Sequence, residues 1–432
     1  MMEALSPANI GLLLFGIFFV LLLIGSPIMV ALGVATMACF IVLDIDLSLM
    51  IERAFASLTA FPLMALPAFV LAGSLMEAAG VSRRLVHVAE NIVGPTPGGL
   101  AISTTLSCVF FGAISGSAVA TVAAVGGMTV PAMVKEGYDK NYAVACASCA
   151  SLLGPMIPPS ISLVVYASLT ECSIQKLFMA TAIPAVFCAV CILAYTLYYG
   201  WKMKLPQQPK ATMKEKLYIL KDSIWALFMP IIVLGLIFGG ICTVSEAAAI
   251  SAFYSAIVGV FIYKTVSIKN LLNTLYETTI SVAAIMILVG LSKASAYVVI
   301  SSQLPQLFMK AMTSLVSSKF VVLLMINVIF LILGCLMEGN CIIVMMVPLM
   351  LNLVNSFGID LIQFGILTCV NIYIGCITPP VGVSLLVGTK LGGASMGGAF
   401  KACMPFFLIS LVTLLLVSYV PAFSLWLPSL AG

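Results

Sequence analysis

Apolar residues along this chain come in long unbroken runs, not in alternation. Runs at 8–25, 27–45, 62–79, 177–200, 246–263, 278–298 and 402–421, with a shorter one at 225–240, read as membrane-spanning helices, since about 20 apolar residues cross the hydrocarbon core of a bilayer. Four further regions are as apolar but interrupted. Residues 98–135 carry Ser115-Gly116-Ser117 and residues 319–356 carry Glu338-Gly339-Asn340, so each predicts a helical hairpin with a polar tip. Residues 140–171 and 361–390 are broken midway, by Gly154-Pro155-Met156-Ile157-Pro158-Pro159-Ser160 and by Gly375-Cys376-Ile377-Thr378-Pro379-Pro380-Val381-Gly382. A double proline removes two backbone donors and disfavours helix in the residue before it. The prediction is therefore half-helices joined by extended backbone. Irregular backbone at membrane depth persists only when buried in protein or lining a watery cavity. A lone proline would read as a kink; glycine with Pro-Pro, occurring twice, points to function instead.

The two breaks belong to an internal repeat. At an offset of 221, Gly137, Asp139, Gly154, Pro158, Pro159 and Pro184 fall on Gly358, Asp360, Gly375, Pro379, Pro380 and Pro405; at 217, Gly73 and Pro131 fall on Gly290 and Pro348. The matches concentrate in residues that control backbone shape. Each half reads as three spans, a hairpin, a broken span and a final span. The predicted fold class is an all-α polytopic membrane protein of two inverted-topology repeats, each with a re-entrant hairpin and a broken helix. Asp139 and Asp360 precede the broken helices and are expected to cap them.

Composition confirms the solvent. Of 432 residues, 62% are hydrophobic and 8% charged, with a mean hydropathy of +1.23, whereas soluble proteins run near 25% charged. A net charge of +4 is too sparse for a nucleic-acid footprint. The apolar start has only Glu3 before it, so it reads as a first span and not a cleaved leader. The CxxC pairs Cys146/Cys149 and Cys188/Cys191 lie in apolar helical runs, where cysteine acts as a small hydrophobe. His87 is the only histidine, which argues against zinc or Ser–His chemistry.

Charge also orients the chain. The 201–223 linker, with Lys202, Lys204, Lys210, Lys214, Lys216 and Lys221 beside Pro206 and Pro209, belongs in the cytoplasm by the positive-inside rule. Counting spans outward brings Arg83, Arg84, Lys135, Lys140, Lys264, Lys269, Lys390 and Lys401 to the same side. Arg53, Lys176, Lys310 and Lys319 fall opposite, and Lys293 lies within a span. An odd number of crossings per half inverts the second half relative to the first.

Inverted repeats with broken helices describe a secondary transporter whose site lies near the bilayer midplane. Helix N-termini there attract an anionic solute, and carbonyl, hydroxyl and amide oxygens suit Na⁺. Candidate solute residues are Ser115, Gly116, Ser117, Pro158, Pro159, Ser160, Asn340, Thr378, Pro379 and Pro380. Candidate Na⁺ residues are Ser115, Ser117, Gly154, Glu338, Gly339, Gly375 and Thr378. Na⁺ is the expected coupling ion, with no organic cofactor. Small tip residues also serve close helix packing. Glu338 reads either as a coupling carboxylate or as a cap at the hairpin rim. Lys293 reads either as a snorkelling side chain or as a ligand for the solute's carboxylate.

Several stretches resemble the large membrane subunit of TRAP transporters. They are Pro62-Leu63-Met64-Ala65-Leu66-Pro67, Leu71-Ala72-Gly73, Gly112-Ala113-Ile114-Ser115-Gly116-Ser117-Ala118, Pro131-Ala132-Met133, Gly137-Tyr138, Ile157-Pro158-Pro159-Ser160, Ser245-Glu246-Ala247 and Ile374 through Gly382. The resemblance implies sodium-driven uptake of an organic acid across a bacterial inner membrane. It also implies a periplasmic substrate-binding protein and a small four-helix membrane subunit, here expected as a separate protein. The fold it implies is a scaffold (1–61 and 224–277) holding an elevator-type transport domain (62–200 and 278–432). The chain departs from the family where it has Thr243-Val244-Ser245-Glu246-Ala247 for Thr-Pro-Thr-Glu-Ala, which is expected to alter a helix start, and where Glu338 replaces an Asp. A stand-alone dicarboxylate or gluconate carrier of related fold is the alternative. A membrane-embedded enzyme is disfavoured, because no paired Asp lies at depth.

Overall fold

The computed structural model describes residues 6–207, 212–315 and 318–430, where the chain is helical apart from one isolated β-bridge between Pro97 and Gln207. Helices α1 (Pro7–Leu23), α2 (Ile28–Val42), α3 (Leu47–Leu58), α4 (Ala65–Ala78) and α5 (Val81–Val93) lead into the first hairpin region. That region is α6 (Gly99–Ser115) and α7 (Ala118–Lys135), the latter with a π-turn at Val122–Gly126. The first broken helix is α8 (Lys140–Met156) followed by α9 (Ile161–Thr170), bent by 41° at the break, and α10 (Ile174–Lys202) follows it. Then come α11 (Met213–Phe238), α12 (Val244–Ile262), α13 (Ile268–Ser301) and α14 (Leu304–Leu315). The second hairpin region is α15 (Lys319–Leu336) with α16 (Gly339–Ser356), and the second broken helix is α17 (Leu361–Gly375) with α18 (Val383–Gly392). Helices α19 (Met396–Tyr419) and α20 (Ala422–Ser429) close the chain. Among the described residues, 8 helices are long and apolar enough to cross a membrane, or up to 10 if each bent pair is one span.

Both interrupted hairpins and both breaks fall within a few residues of where the apolar runs predict them. Asp139 accepts from the Tyr142 amide at 2.9 Å, and Asp360 from the Ile362 amide at 2.8 Å, so the two aspartates cap their helices as expected. The region 225–240 is not a short span: α11 begins at Met213, where Thr212 and Glu215 form a reciprocal capping box. The connection between halves thereby contracts to residues 203–212, of which 208–211, with Pro209 and Lys210, lie outside the described residues. The same box, Thr243 with Glu246, starts α12, so Val244 leaves that helix with a capped start. The run 278–298 extends to Ile268–Ser301. Amphipathic helices α3, α5 and α14 are additions the span reading misses, because they are too short to cross. In α5, Arg84 stacks on Tyr263 at 3.6 Å and pairs with Asp222 at 3.0 Å, fastening the helix to α11 and α12.

Packing places α8 and α17 innermost. Every residue from Tyr142 to Ala150 and from Gln363 to Gly375 is buried, as expected of helices apolar on all faces. Within lipid, burying an apolar side chain gains little over leaving it in acyl chains, so close packing and interhelical hydrogen bonds carry the association. The small-residue run of α8, Ala143 through Ala150, lets α6, α18 and α19 approach closely. Around α17 the glue is polar. Asn371 donates to Asn327 at 2.9 Å, Asn327 donates to Ser418 at 2.9 Å, and Gln363 donates to the Val417 carbonyl at 2.9 Å. These bonds tie α17 to α15 and α19, each contributing about 0.6–2 kcal/mol in a membrane. On the other flank, α4 packs on α12, and α13 packs along α2, α3 and α4; Thr36 on α2 hydrogen-bonds Ser295 on α13.

Candidate functional site

Each hairpin meets its broken helix at a contact of glycine on glycine. A Cβ on Gly112 would land inside the Gly154 backbone, and a Cβ on Gly375 inside the Gly334 backbone. Only glycine allows main chains this close, so Gly154 and Gly375 are explained first as crossing points. The break beyond α8 stays under the first tip. Gly116, with φ +60, leaves no room for a Cβ against the Pro159 carbonyl.

The first tip is a cluster of hydroxyls. Ser117 caps α7 by accepting from the Ala120 amide at 3.4 Å. Thr121 donates to the Ser117 carbonyl at 2.7 Å and pairs with the Ser115 hydroxyl at 3.1 Å, within reach of Gly154. Ser115, Ser117 and Gly154 thus come together, with Thr121 as a member the sequence reading misses.

At the second tip a carboxylate replaces the hydroxyls. Glu338 caps α16: one oxygen accepts from the Asn340 amide at 3.0 Å, the other from the Asn340 side chain at 2.9 Å. Of the two readings of Glu338, the cap is the one the geometry displays. Gly339 sits against Ile372, and Gly375 against Gly334. Thr378 does not join them, because its hydroxyl turns back to the Ile374 carbonyl at 2.8 Å.

Between the tips lies a cavity of about 450 Å³. Ser117, Ala118 and Val119 open onto it from α7, and Glu338, Gly339 and Asn340 from the second tip. Pro155 and Ser162 flank the first break there, and Tyr373 and Cys376 the second. The facing wall is apolar: Ile28 and Met29 at the start of α2, with Ala284, Ile285 and Leu288 on α13. Polar bonds knit the far side. Tyr373 donates to the Pro155 carbonyl at 3.2 Å and so accepts from Ser160 at 3.1 Å, while Ser162 donates to Asn340 at 3.1 Å. Each of these bonds joins one half of the chain to the other.

Of the ten candidate solute residues, Gly116, Ser117 and Asn340 line this cavity. Ser115 stands one hydrogen bond behind. Pro158, Pro159 and Ser160 are buried behind the wall, held under the first tip. Thr378, Pro379 and Pro380 are not among the residues lining the cavity. Pro380 and Val381 are exposed, and the Val381 amide donates to the Cys335 carbonyl at 3.1 Å. Both Pro-Pro bonds are cis. Tyr373, Ser162 and the apolar wall are what sequence reasoning misses. Tyr373, a hydroxyl one turn before a break, could have been found; the α2 and α13 residues could not, because a cavity wall and a lipid-facing stripe look alike in sequence.

Glu338 is the only charged side chain on this cavity among the described residues. A second cavity of about 710 Å³ lies further along α13, bounded by α3, α9, α14 and α16. Its lining includes Lys293, which therefore stands apart from the central cavity.

A model of the family described as "Tripartite ATP-independent periplasmic transporter, DctM component" matches residues 15–423. The chain is 38% identical over 414 residues to the isethionate TRAP transporter permease protein DctMQ of Oleidesulfovibrio alaskensis; the match covers 95% of this chain but only 65% of the length of that protein. It is 38% identical over 372 residues to the C4-dicarboxylate TRAP transporter large permease protein DctM of Pseudomonas aeruginosa, covering 86% of this chain and 87% of that one. Among solved structures, the Alcanivorax borkumensis YdaH transporter has a similar fold, with a TM-score of 0.60 across 89% of both chains at 15% identity.

Proposed function

This chain belongs to the DctM component family of tripartite ATP-independent periplasmic transporters, and from that premise we propose that it imports an organic acid by sodium-coupled alternating access. The family is one of multi-pass permeases of the bacterial inner membrane, not of enzymes. A small four-helix membrane subunit and a periplasmic substrate-binding protein complete the system. The two halves act as inverted repeats: α6–α10 and α15–α20 form the moving transport domain, and α1–α4 with α11–α13 form the scaffold. This division moves 65–78 and 278–301 from the transport side, where the sequence reading puts them, to the scaffold.

The observation that carries this reading is the central cavity, which both hairpin tips and both breaks enclose on one side and α2 with α13 on the other. A site shared between the two parts can be handed from one face of the membrane to the other. By the charge count, Ile28 and Met29 mark the cytoplasmic end of α2, while Ala284, Ile285 and Leu288 lie near the middle of α13. The solute's acidic group is assigned to the α7 end, where Ser117 and free N–H groups supply the dipole. At α16 the same groups are already engaged by Glu338.

The charge of the cavity favours cation coupling. Among the described residues, the one acidic side chain on the cavity is Glu338; whenever it carries its charge, an entering anion is repelled unless a cation enters too. Na⁺, as a co-transported substrate, would sit among Ser115, Ser117, Thr121 and the Gly154 backbone, with a second near Glu338 and Gly339. The acid is of the kinds named by the relatives, a C4-dicarboxylate or the sulfonate isethionate, or another organic acid such as sialic acid.

Uptake into sealed proteoliposomes tests this directly, with the sodium gradient, the small subunit and the binding protein each supplied or omitted. Uptake of one of those acids only when all are present is expected. Uptake by the large subunit alone overturns the tripartite reading, and uptake indifferent to sodium overturns the coupling.

A further inference from the structure

We propose that the second cavity is a staging site on the outer side, where the carboxylate of an incoming solute is held between Lys293 and Arg53 before it reaches the central cavity. The proposal rests on the organic-acid reading above and adds a residue pair and a step to it. Arg53, Lys293 and Glu171 are the charged residues among those lining this cavity, so two cations face one acid. The central cavity carries one acidic side chain, Glu338, and no basic one among the described residues.

Lys293 lies well inside α13, about 12 Å from the helix end at Ser301 by the rise of 1.5 Å per residue. Among the described residues it makes no hydrogen bond or ion pair. An ammonium at that depth is expensive without a partner. Snorkelling along the cavity relieves the desolvation, and Glu171 on the same lining acts on Lys293 as a counter-charge, which leaves one of the two cations of this cavity unbalanced.

Arg53 reaches the same wall from α3, stacked over Tyr297 at 5.1 Å. Tyr297 follows Lys293 by one turn, so the guanidinium and the ammonium share one face of α13. Stacking on a ring uses the face of a guanidinium and leaves its N–H edge for a carboxylate. The two cavities border the same helix at successive levels, Leu288 lining the central one and Lys293 the outer one, about 7.5 Å apart along the axis and on faces turned about 140° from each other. A carboxylate released by Lys293 therefore has to pass around α13 to reach the central cavity.

The test reads Lys293 itself. The full chain in lipid nanodiscs is reductively methylated in succinate or in sodium chloride of equal ionic strength, and Lys293 labelling is followed by mass spectrometry against Lys269 on the inner end of α13. Succinate is expected to slow labelling of Lys293 about fivefold or more, with chloride and Lys269 unaffected, a change of about 1 kcal/mol. Arg53→Gln, checked for folding by size exclusion, is expected to abolish that protection. Equal protection by chloride, or protection that survives Arg53→Gln, overturns the proposal.

In proteoliposomes, Lys293→Gln is expected to raise the half-saturating acid concentration about tenfold with the maximal rate little changed, and Lys293→Arg to restore it. An unchanged half-saturating concentration in Lys293→Gln overturns the staging role. If the parent chain imports none of the acids, the organic-acid reading fails, and the labelling result still decides whether Lys293 and Arg53 form an anion site.

Discussion

The two hairpin tips solve the same geometric problem with different chemistry. Both cross their broken helix where glycine meets glycine, Gly112 on Gly154 and Gly334 on Gly375. Beyond the crossing they diverge. The first tip carries Ser115, Ser117 and Thr121, and its break is sealed, with Pro158, Pro159 and Ser160 buried. The second carries Glu338 in place of hydroxyls, and its break opens outward at Pro380 and Val381. Backbone shape is thus shared, while side chains are free to differ. Under the proposed function the division is one of labour: a cluster of hydroxyl oxygens beside the anion at one tip, a carboxyl group at the other.

The largest expected effect tests the shared part. Gly112→Ala and Gly375→Ala each force a methyl into main chain and are expected to destabilise by about 1–3 kcal/mol or more, read as a lower thermal midpoint and lost uptake. Gly334→Ala is expected to cost less than either, because its Cβ would stand 3.1 Å from the Gly375 Cα, a tight contact needing a shift of a few tenths of an ångström, whereas a Cβ on Gly375 would land inside the Gly334 backbone. Alanine's helix propensity offsets part of that cost. Equal damage from Gly334→Ala would show that the crossing is tighter than drawn.

The next effects separate the tips. Ser117→Leu removes the α7 cap and fills the space beside it; the sodium concentration for half-maximal uptake is expected to rise about tenfold, or about 1.4 kcal/mol. Glu338→Gln keeps an oxygen to accept from the Asn340 amide, so the fold should persist while sodium dependence weakens several-fold. Glu338→Ala also uncaps α16, adding a loss of about 1 kcal/mol in stability. Thr378→Val is expected to do least, under about threefold in sodium activation, since its hydroxyl is spent on the Ile374 carbonyl. A tenfold effect there would restore Thr378 to the cation site.

Helices, tips and breaks were legible because glycine, proline and serine stand out against an apolar background. Asp139 and Asp360 were readable as caps for the same reason. The amphipathic α5 and α14 were not, because a search tuned to 20 apolar residues passes over a helix with one polar face. The site was only half legible. Gly116, Ser117, Glu338 and Asn340 were identified by polarity at a tip, but which side of a Pro-Pro break faces a cavity is decided by packing. Pro159 and Pro380 occupy matching places in sequence, yet one lies under a hairpin and the other on the surface. No pattern in sequence marks Ile285 or Leu288 as cavity wall instead of lipid contact.

The glycine crossings also have a kinematic consequence. Contacts between main chains have no rotamers with which to absorb a sliding motion, so a hairpin cannot creep along its broken helix without first lifting clear of it. Each pair therefore behaves as one rigid link, and its pivot must lie elsewhere in the chain. Beyond each crossing only one helical turn remains, from Gly112 to Gly116 and from Gly334 to Glu338, and it moves only if Gly116 leaves the Pro159 carbonyl or the Cys335 carbonyl gives up the Val381 amide. A gate at either tip could swing only that far, a reach of about 6 Å.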